Sequence, residues 1–230
     1  LAARAAATCG DPALAILTGW DWPRLEADAR RFGQIYRPVS ILPPDQYLAL
    51  VLQATEGCSY NRCTFCDFYR DRRFRIKGPA ELAGHIAAVR DFFGPALALR
   101  KSLFLADANA LVAPMPRVHA WLDVIEQSGL LPHARLYSFI DAFDVPRKSL
   151  ADWQELAGRG LHRVYIGMES GDDELLRFLR KPGSSQDVMA AVSSLKEAGV
   201  AVSVIVMTGI GGKRYAENHV ARTLAVLNAL

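Results

Sequence analysis

The chain has 230 residues, of which 51% are hydrophobic and 22% are charged. This apolar fraction can bury a large core and excludes a disordered chain, and the four cysteines exclude a disulfide-rich scaffold. The net charge of +3 requires neither a nucleic acid nor an anionic membrane as a partner. The longest apolar run, residues 200–212, is far shorter than the roughly 20 residues of a membrane-spanning helix. We therefore expect a cytoplasmic protein without membrane contact.

Predicted strands and helices alternate along the chain after a proline-rich N-terminal stretch. Residues 1–45 are predicted to form an N-terminal extension with one helix over residues 23–32. Beyond it, short runs of apolar and β-branched residues are each followed by a segment with helical spacing. The predicted strands cover residues 47–54, 102–106, 135–140, 163–168 and 201–208, and the predicted helices cover residues 79–93, 116–127, 147–157, 172–181, 185–199 and 215–230.

This alternation predicts an α/β fold. Strands that alternate with helices form parallel βα units, and continuous apolar runs are typical of strands covered on both faces. About five such units are too few for a closed eight-stranded barrel, so an open sheet or a partial barrel is favoured. We expect a single α/β domain over residues 46–230, behind the N-terminal extension.

Three of the four cysteines lie in one short segment directly after the first predicted strand. Cys58, Cys63 and Cys66 belong to the sequence CSYNRCTFC, whereas Cys9 stands alone. Clustered thiolates are good ligands for an iron–sulfur cluster or for zinc, and functional groups collect at the carboxyl ends of parallel strands. Three thiolates can hold three irons of a 4Fe–4S cluster and leave the fourth open. The alternatives are a zinc site or a set of buried thiols.

The cysteine segment resembles that of the radical S-adenosylmethionine (SAM) superfamily, and the resemblance extends from residue 54 to the C-terminus. The superfamily has three and then two residues between its cysteines, with an aromatic residue before the last cysteine. Here the second gap and Phe65 match, and the first gap is one residue longer. The nearest branch includes the Elongator catalytic subunit and coproporphyrinogen dehydrogenase. The resemblance implies a partial (β/α)6 TIM-like barrel, and we expect its sixth strand to follow residue 230.

Segments after the later strands are similar to the SAM-binding motifs of that superfamily. Residues 107–109 stand in the place of the Gly-Gly-Glu motif, which binds the SAM amino group, and Glu169 and Ser170 stand where the ribose is contacted. Lys181 stands where the coproporphyrinogen-dehydrogenase branch has an arginine for the SAM carboxylate, and Gly209 belongs to a segment similar to the adenine motif. The resemblance implies the following SAM-site residues: Phe65, Asp107, Ala108, Asn109, Ser138, Glu169, Ser170, Lys181 and Gly209.

Each of these segments also has a purely structural explanation. Glu169 and Ser170 would suit the start of a helix, and Lys181 would suit the end of one. The glycines after the fifth strand would serve in a plain turn. It is the order and spacing of all four segments together that favour a SAM site.

The resemblance implies an enzyme that cleaves SAM reductively at a 4Fe–4S cluster, giving a 5′-deoxyadenosyl radical that abstracts hydrogen from a substrate. Its reducing partner would be a protein such as flavodoxin or ferredoxin. We expect a small-molecule substrate and assign no catalytic residue. An enzyme that modifies RNA is the second hypothesis, because residues 70–77 carry five basic side chains, although such a charge run also suits a solvated surface. The third is a non-catalytic iron–sulfur or zinc module.

Overall fold

The computed structural model describes residues 19–130 and 132–230, so Cys9 lies outside the described residues. The chain divides into two compact units, Leu1–Pro38 and Val39–Leu230. The described part of the first unit contains helix α1 (Trp22–Ile35), which begins where the Asp21 side chain accepts a hydrogen bond from the backbone N–H of Arg24. Such a side-chain cap satisfies one of the amide groups that a helix N-terminus leaves unbonded.

The second unit is built of alternating strands and helices. Its strands are β1 (Ala49–Gln53), β2 (Thr55–Glu56), β3 (Arg75–Ile76), β4 (Ser102–Ala106), β5 (Arg135–Ile140), β6 (Leu161–Glu169) and β7 (Ala201–Val206). Its α-helices are α2 (Pro79–Phe93), α3 (Met115–Ser128), α4 (Leu150–Gly158), α5 (Asp173–Phe178), α6 (Ser185–Glu197) and α7 (Gly212–Ala229). Short 3-10 helices cover Pro44–Gln46, Gly94–Leu99, Ala110–Val112 and Ala142–Arg147.

A five-stranded sheet forms the centre of this unit, in the order β1, β4, β5, β6 and β7. All four pairings within it are parallel. Because every strand runs the same way, the carboxyl ends of all five meet at one edge of the sheet. The predicted α/β class with a parallel central sheet is confirmed.

The core lies against this sheet. Strands β1 and β4 are buried over their whole length, as apolar strands covered on both faces should be. Phe104, Phe139 and Tyr165 come from three neighbouring strands and contact one another, with ring centroids 5.1 to 6.1 Å apart. The fully buried Trp121 and Trp153 each donate an indole hydrogen bond to a backbone carbonyl, so neither polar ring atom is left without a partner in the core.

Helix boundaries differ from the predicted ones where local capping decides them. One helix was predicted over residues 147–157. In the structure a 3-10 helix ends at residue 147, and α4 begins only after Ser149. The side chains of Ser149 and Asp152 cap the start of α4 reciprocally. Helix α5 stops at Phe178 because Arg180 adopts a left-handed backbone conformation, with φ of 53°. No helix within residues 19–130 and 132–230 has both the length and the apolarity needed to cross a membrane.

The structure adds one element that the sequence did not predict, an antiparallel pair formed by β2 and β3. Thr55 lies opposite Ile76 and Glu56 lies opposite Arg75. Each strand is only two residues long, which is too short to give a recognisable alternation. The pair brings the two ends of residues 57–74 together, and these residues contain the three cysteines. We call this segment the cysteine loop.

Candidate functional site

The three thiols lie in one short stretch of the cysteine loop. Cys58, Cys63 and Cys66 are free and half-buried, and Sγ of Cys58 accepts a hydrogen bond of 3.3 Å from the backbone N–H of Asn61. Burial raises the pKa of Cys58 and raises that of Cys63 to about 11, and a negative charge on Cys66 raises both further. All three thiols belong to residues 58–66, between the paired ends of the cysteine loop.

The middle of the cysteine loop is attached to α5. The backbone N–H and the hydroxyl of Thr64 both donate to the carbonyl of Leu179, at 2.9 and 3.1 Å. Phe65 packs against an apolar cluster that consists of Leu175, Leu179, Ile210 and Tyr215. Ile210 lies in the turn after β7, so Phe65 joins the loop to the glycine-rich segment that the sequence had associated with adenine.

The ends of the cysteine loop are attached to Asp107, which follows β4 and is 3% exposed. Its Oδ2 accepts hydrogen bonds from the N–H of Gly57 at 3.0 Å and from Nη1 of Arg72 at 3.4 Å. Its Oδ1 accepts a bond of 3.3 Å from Nε2 of Gln53. Burial raises the pKa of Asp107, although the Gly57 amide and the Arg72 charge act in the opposite direction. Asp107 thus contacts both the start and the end of the loop.

A group of three charged side chains lies beside the thiols. Nζ of Lys181 is 3.0 Å from Oδ1 of Asp141, which follows β5, and 4.0 Å from Oε1 of Glu169, which ends β6. Burial raises the pKa of Glu169, whereas the positive charge of Lys181 acts to lower it. Burial alone would lower the pKa of Lys181, but Asp141 and Glu169 raise it overall. Lys181 lines one cavity together with Asn61, Thr64 and Arg70, so this charged group and the cysteine loop form one site.

Asp141 is the residue of this site that the sequence analysis missed. It directly follows the third predicted strand, at residue 141, and an acidic side chain at the carboxyl end of a parallel strand is the signal that could have identified it. Without structural information, nothing in its neighbourhood indicates that it meets Lys181, which is 40 positions away.

The backbone around Glu169 is shaped for this contact. Glu169 has a φ of 62°, a left-handed conformation that is uncommon for a residue with a side chain. The pairing of β6 with β7 also shifts in register between Gly167 and Glu169. A Cβ atom on Gly167 would lie 2.5 Å from Oε1 of Glu169 and 3.4 Å from Nζ of Lys181. A side chain at position 167 would therefore require the Glu169 carboxylate to move from its present position beside the lysine.

The other predicted SAM-site residues have varied environments. Asn109 is fully buried and donates to Oδ2 of Asp144 at 2.8 Å, and its own Oδ1 accepts no hydrogen bond from the described residues. Ser138 donates to the carbonyl of Leu105 within the sheet, and Ser170 lies 2.8 Å from a ring nitrogen of His219. Ala108 is half-buried, and Gly209 is exposed in a turn with φ of 76°. Whether these residues contact SAM stays a prediction.

Four of the five basic side chains of residues 70–77 bind groups of the protein itself. Arg70 donates to the backbone carbonyls of two cysteines at 3.1 and 3.2 Å. Arg72, Arg75 and Lys77 each pair with a carboxylate, at distances of 2.6 to 3.4 Å. These contacts shape the loop and its hairpin, which favours a structural explanation of the charge run over an RNA-binding one.

The donor set fits an iron–sulfur cluster. Soft, unpaired thiols gathered in one loop are the ligands such a cluster takes. Within residues 19–130 and 132–230, no three His, Cys, Asp or Glu side chains surround a single metal-ion position. A 4Fe–4S cluster makes a different demand, since each thiolate binds its own iron and the sulfur ligands stand around the cluster as a whole.

A family model and a curated protein match parts of this chain. The model of the Radical SAM superfamily matches residues 134–224. A curated protein, 4′-phospho-dehydrooxetanocin synthase from Priestia megaterium, is 25% identical over 169 residues, which are 66% of this chain and 22% of that protein. The chain thus spans about a fifth of the length of this relative.

Solved structures show the same fold. The cobalamin-dependent S-adenosylmethionine radical enzyme OxsB, with aqua-cobalamin and S-adenosylmethionine bound, aligns with a TM-score of 0.58 and 20% identity over 78% of this chain and 26% of its own. Coproporphyrinogen III oxidase (HemN) from Escherichia coli, a radical SAM enzyme, aligns with a TM-score of 0.55 and 13% identity over 91% of this chain and 45% of its own. The fold is the partial barrel of radical SAM structures. The family model thus covers less than half of this chain, and the solved structures agree with it in fold.

Proposed function

We propose that this chain carries the core of a radical SAM enzyme over residues 46–230. A 4Fe–4S cluster with SAM bound supplies one-electron cleavage of SAM to a 5′-deoxyadenosyl radical, which abstracts hydrogen from a small-molecule substrate. The observation that carries the proposal is a cavity that the cysteine loop, with its three free thiols, shares with Lys181, which pairs with Asp141 and Glu169.

Cys58, Cys63 and Cys66 would bind the cluster. Burial raises the pKa of Cys58 and Cys63, so these two thiols hold their protons while no metal is bound. Iron binds the thiolate, and loading therefore releases protons. Arg70 bonds two backbone carbonyls within the loop and Thr64 bonds the carbonyl of Leu179, so both restrain the backbone that carries the sulfur atoms.

Lys181, Asp141 and Glu169 would bind the amino-acid and ribose parts of SAM. The ammonium of Lys181 suits the SAM carboxylate, and the two carboxylates suit its amino group and ribose hydroxyls. The group carries one positive and two negative charges, whereas SAM carries a net positive charge. Binding therefore brings opposite net charges together in a site where burial strengthens their attraction.

Finer features of the proposal rest on the same residues. The twelve-residue spacing from Glu169 to Lys181 supports the coproporphyrinogen-dehydrogenase-like branch, with lysine in place of arginine. The three free thiols support a reducing, cytoplasmic location. A one-electron donor such as flavodoxin or ferredoxin would supply the electron. A small molecule is favoured over RNA because four of the five basic side chains of residues 70–77 already bind groups of the protein itself.

The test is anaerobic reconstitution with iron and sulfide, then reduction with SAM and analysis of the nucleosides formed. We expect about four irons per chain and 5′-deoxyadenosine as the product. Cys63→Ala should abolish the cluster, and Cys9→Ala should leave it intact as the matched control. Methylthioadenosine would redirect the chemistry to another C–S bond of SAM. About one bound zinc per chain with neither nucleoside would overturn the proposal.

A further inference from the structure

We propose that Asp107 and Arg72 are positioning residues that hold the cysteine loop in its cluster-binding shape. This inference rests on the proposed function, and it gives Asp107 a different task from the SAM contact implied by its place in the sequence. Asp107 and Arg72 form an ion pair of 3.4 Å, with side chains that are 2% and 8% exposed.

The first support is the placement of the partners of Asp107 along the chain. Gly57 immediately precedes Cys58, whereas Arg72 lies beyond Cys66, so a single carboxylate oxygen accepts a hydrogen bond from each end of the loop. The backbone N–H of Asp107 donates in turn to the hydroxyl of Thr55, in the hairpin strand that leads into the loop. One residue at the end of β4 thereby fixes the loop entrance and the loop exit together.

The second support is a chain of contacts from Arg72 back to a sulfur atom. The guanidinium of Arg72 lies 5.4 Å from the ring centroid of Tyr69, and the carbonyl of Tyr69 accepts a 2.9 Å hydrogen bond from the side chain of Asn61. The backbone N–H of Asn61 donates to Sγ of Cys58. Removing the charge of Asp107 would therefore loosen the arginine, the tyrosine and a contact to the first thiol in succession.

The third support is how tightly the loop ends are packed. Gly57 has a φ of 80°, and a Cβ atom there would lie 3.2 Å from backbone atoms of Arg73 and Phe74 on the returning chain. This left-handed backbone conformation, in which the Gly57 amide bonds Asp107, favours glycine at position 57. A neutral amide at position 107 would present either its own N–H groups or a weaker acceptor to the Gly57 amide and to the Arg72 cation.

The experiment compares Asp107→Asn with Asp144→Asn in the reconstituted full chain. Asp144 is the matched control because it is also 3% exposed and hydrogen-bonded to a neighbour, Asn109, that is outside the loop. Changes in residues that orient metal ligands lower metal affinity by about 10–100-fold. We expect chelator-driven loss of the cluster to become about 10–100-fold faster in Asp107→Asn. Asp144→Asn should keep the wild-type rate.

Two further readouts separate positioning from SAM contact. Hydrogen exchange of the Gly57 amide, measured without a cluster, should be faster in Asp107→Asn and unchanged in Asp144→Asn. The affinity of freshly loaded Asp107→Asn for SAM should equal that of the wild type. If Asp107→Asn retains its cluster as long as the wild type, or keeps the cluster and loses SAM affinity, the inference is overturned.

Two further outcomes need to be distinguished: a variant that fails to fold and a wild-type chain that binds no cluster. If Asp107→Asn fails to fold, Arg72→Lys replaces it, because lysine keeps the charge and loses the planar contact with Tyr69. This variant should also lose its cluster faster than the wild type, and a wild-type rate would count against the inference. A wild-type chain that binds no cluster would refute the proposed function itself. A wild-type chain with a stable cluster and an equally stable Asp107→Asn cluster would refute only the positioning role.

Discussion

Replacing Lys181 with methionine would remove the cation between two mostly buried carboxylates. Lys181, Asp141 and Glu169 have side chains that are only 12%, 18% and 10% exposed. Breaking a fully buried ion pair by removing one partner costs about 3–5 kcal/mol. The remaining exposure allows water to screen part of the charge, so we expect Lys181→Met to lower the free energy of unfolding by about 2–3 kcal/mol near pH 7.

This loss should depend on pH with a definite sign. Burial already raises the pKa of Glu169 while Lys181 is present, and removing the lysine raises it further. A carboxyl group with a raised pKa in the folded state stabilises the fold below its unfolded pKa and loses that contribution as the pH rises through the folded value. The destabilisation should therefore be largest near pH 7 and smallest near about pH 4–5, where the carboxyls take up protons.

Urea denaturation of the cluster-free protein at several pH values measures this directly. Lys101→Met is the control, since Lys101 is exposed and its loss should change stability by no more than about 0.5 kcal/mol. A loss for Lys181→Met that is constant between about pH 5 and pH 8, or no larger than that of the control, would refute the charged-group reasoning.

Two further predictions concern the scaffold. Gly171→Ala should destabilise the fold by about 1–3 kcal/mol, because its Cβ would lie 2.5 Å from the backbone oxygen of Arg222. Gly84 lies within α2 and has open space around it, so Gly84→Ala should stabilise the fold by about 0.5–1 kcal/mol. Thermal unfolding of both variants checks this, and equal shifts would contradict it. Burial alone would raise the pKa of Asp45, but the hydrogen bond from Tyr165 and other contacts hold it below its usual value. The contribution of Asp45 to stability is therefore present above its unfolded pKa and lost as the pH falls through its folded pKa. Tyr165→Phe should lower the free energy of unfolding by about 1 kcal/mol near pH 7 and by less near pH 3, as measured by urea denaturation. An equal loss at pH 3 would count against this prediction.

Local patterns predicted the elements whose boundaries are set locally. β5 (Arg135–Ile140) and α2 (Pro79–Phe93) occur at the predicted residues, since a buried apolar run defines the strand and a proline at the first helical position marks the helix start. Helix α7 shows the limit of this approach. The pattern groups Val220, Leu224 and Leu227 on one face, and the structure leaves these side chains 42–63% exposed.

The buried face of α7 is partly polar, for a reason that lies far away in the sequence. His219 and Thr223 are buried because they bind Ser170 and the backbone N–H of Gly171, at the end of β6. Apolar periodicity contains no information about such partners. The same holds for Asp107. Its place after a strand suggested a ligand contact. Its hydrogen bond from Gly57 joins residues 50 positions apart, and only the structure shows it.

The hairpin of β2 and β3 explains how the cysteine loop tolerates its unusual spacing. The two ends of the loop are paired with each other, so the path between them does not affect the register of the parallel sheet. An extra residue between Cys58 and Cys63 is absorbed inside the loop, and lengthening a closed loop of this size by one residue costs less than about 0.1 kcal/mol of chain entropy. The length of the cysteine loop is in this sense independent of the parallel sheet. A change in this length would leave unchanged the sheet that carries Asp141 and Glu169 at its carboxyl edge.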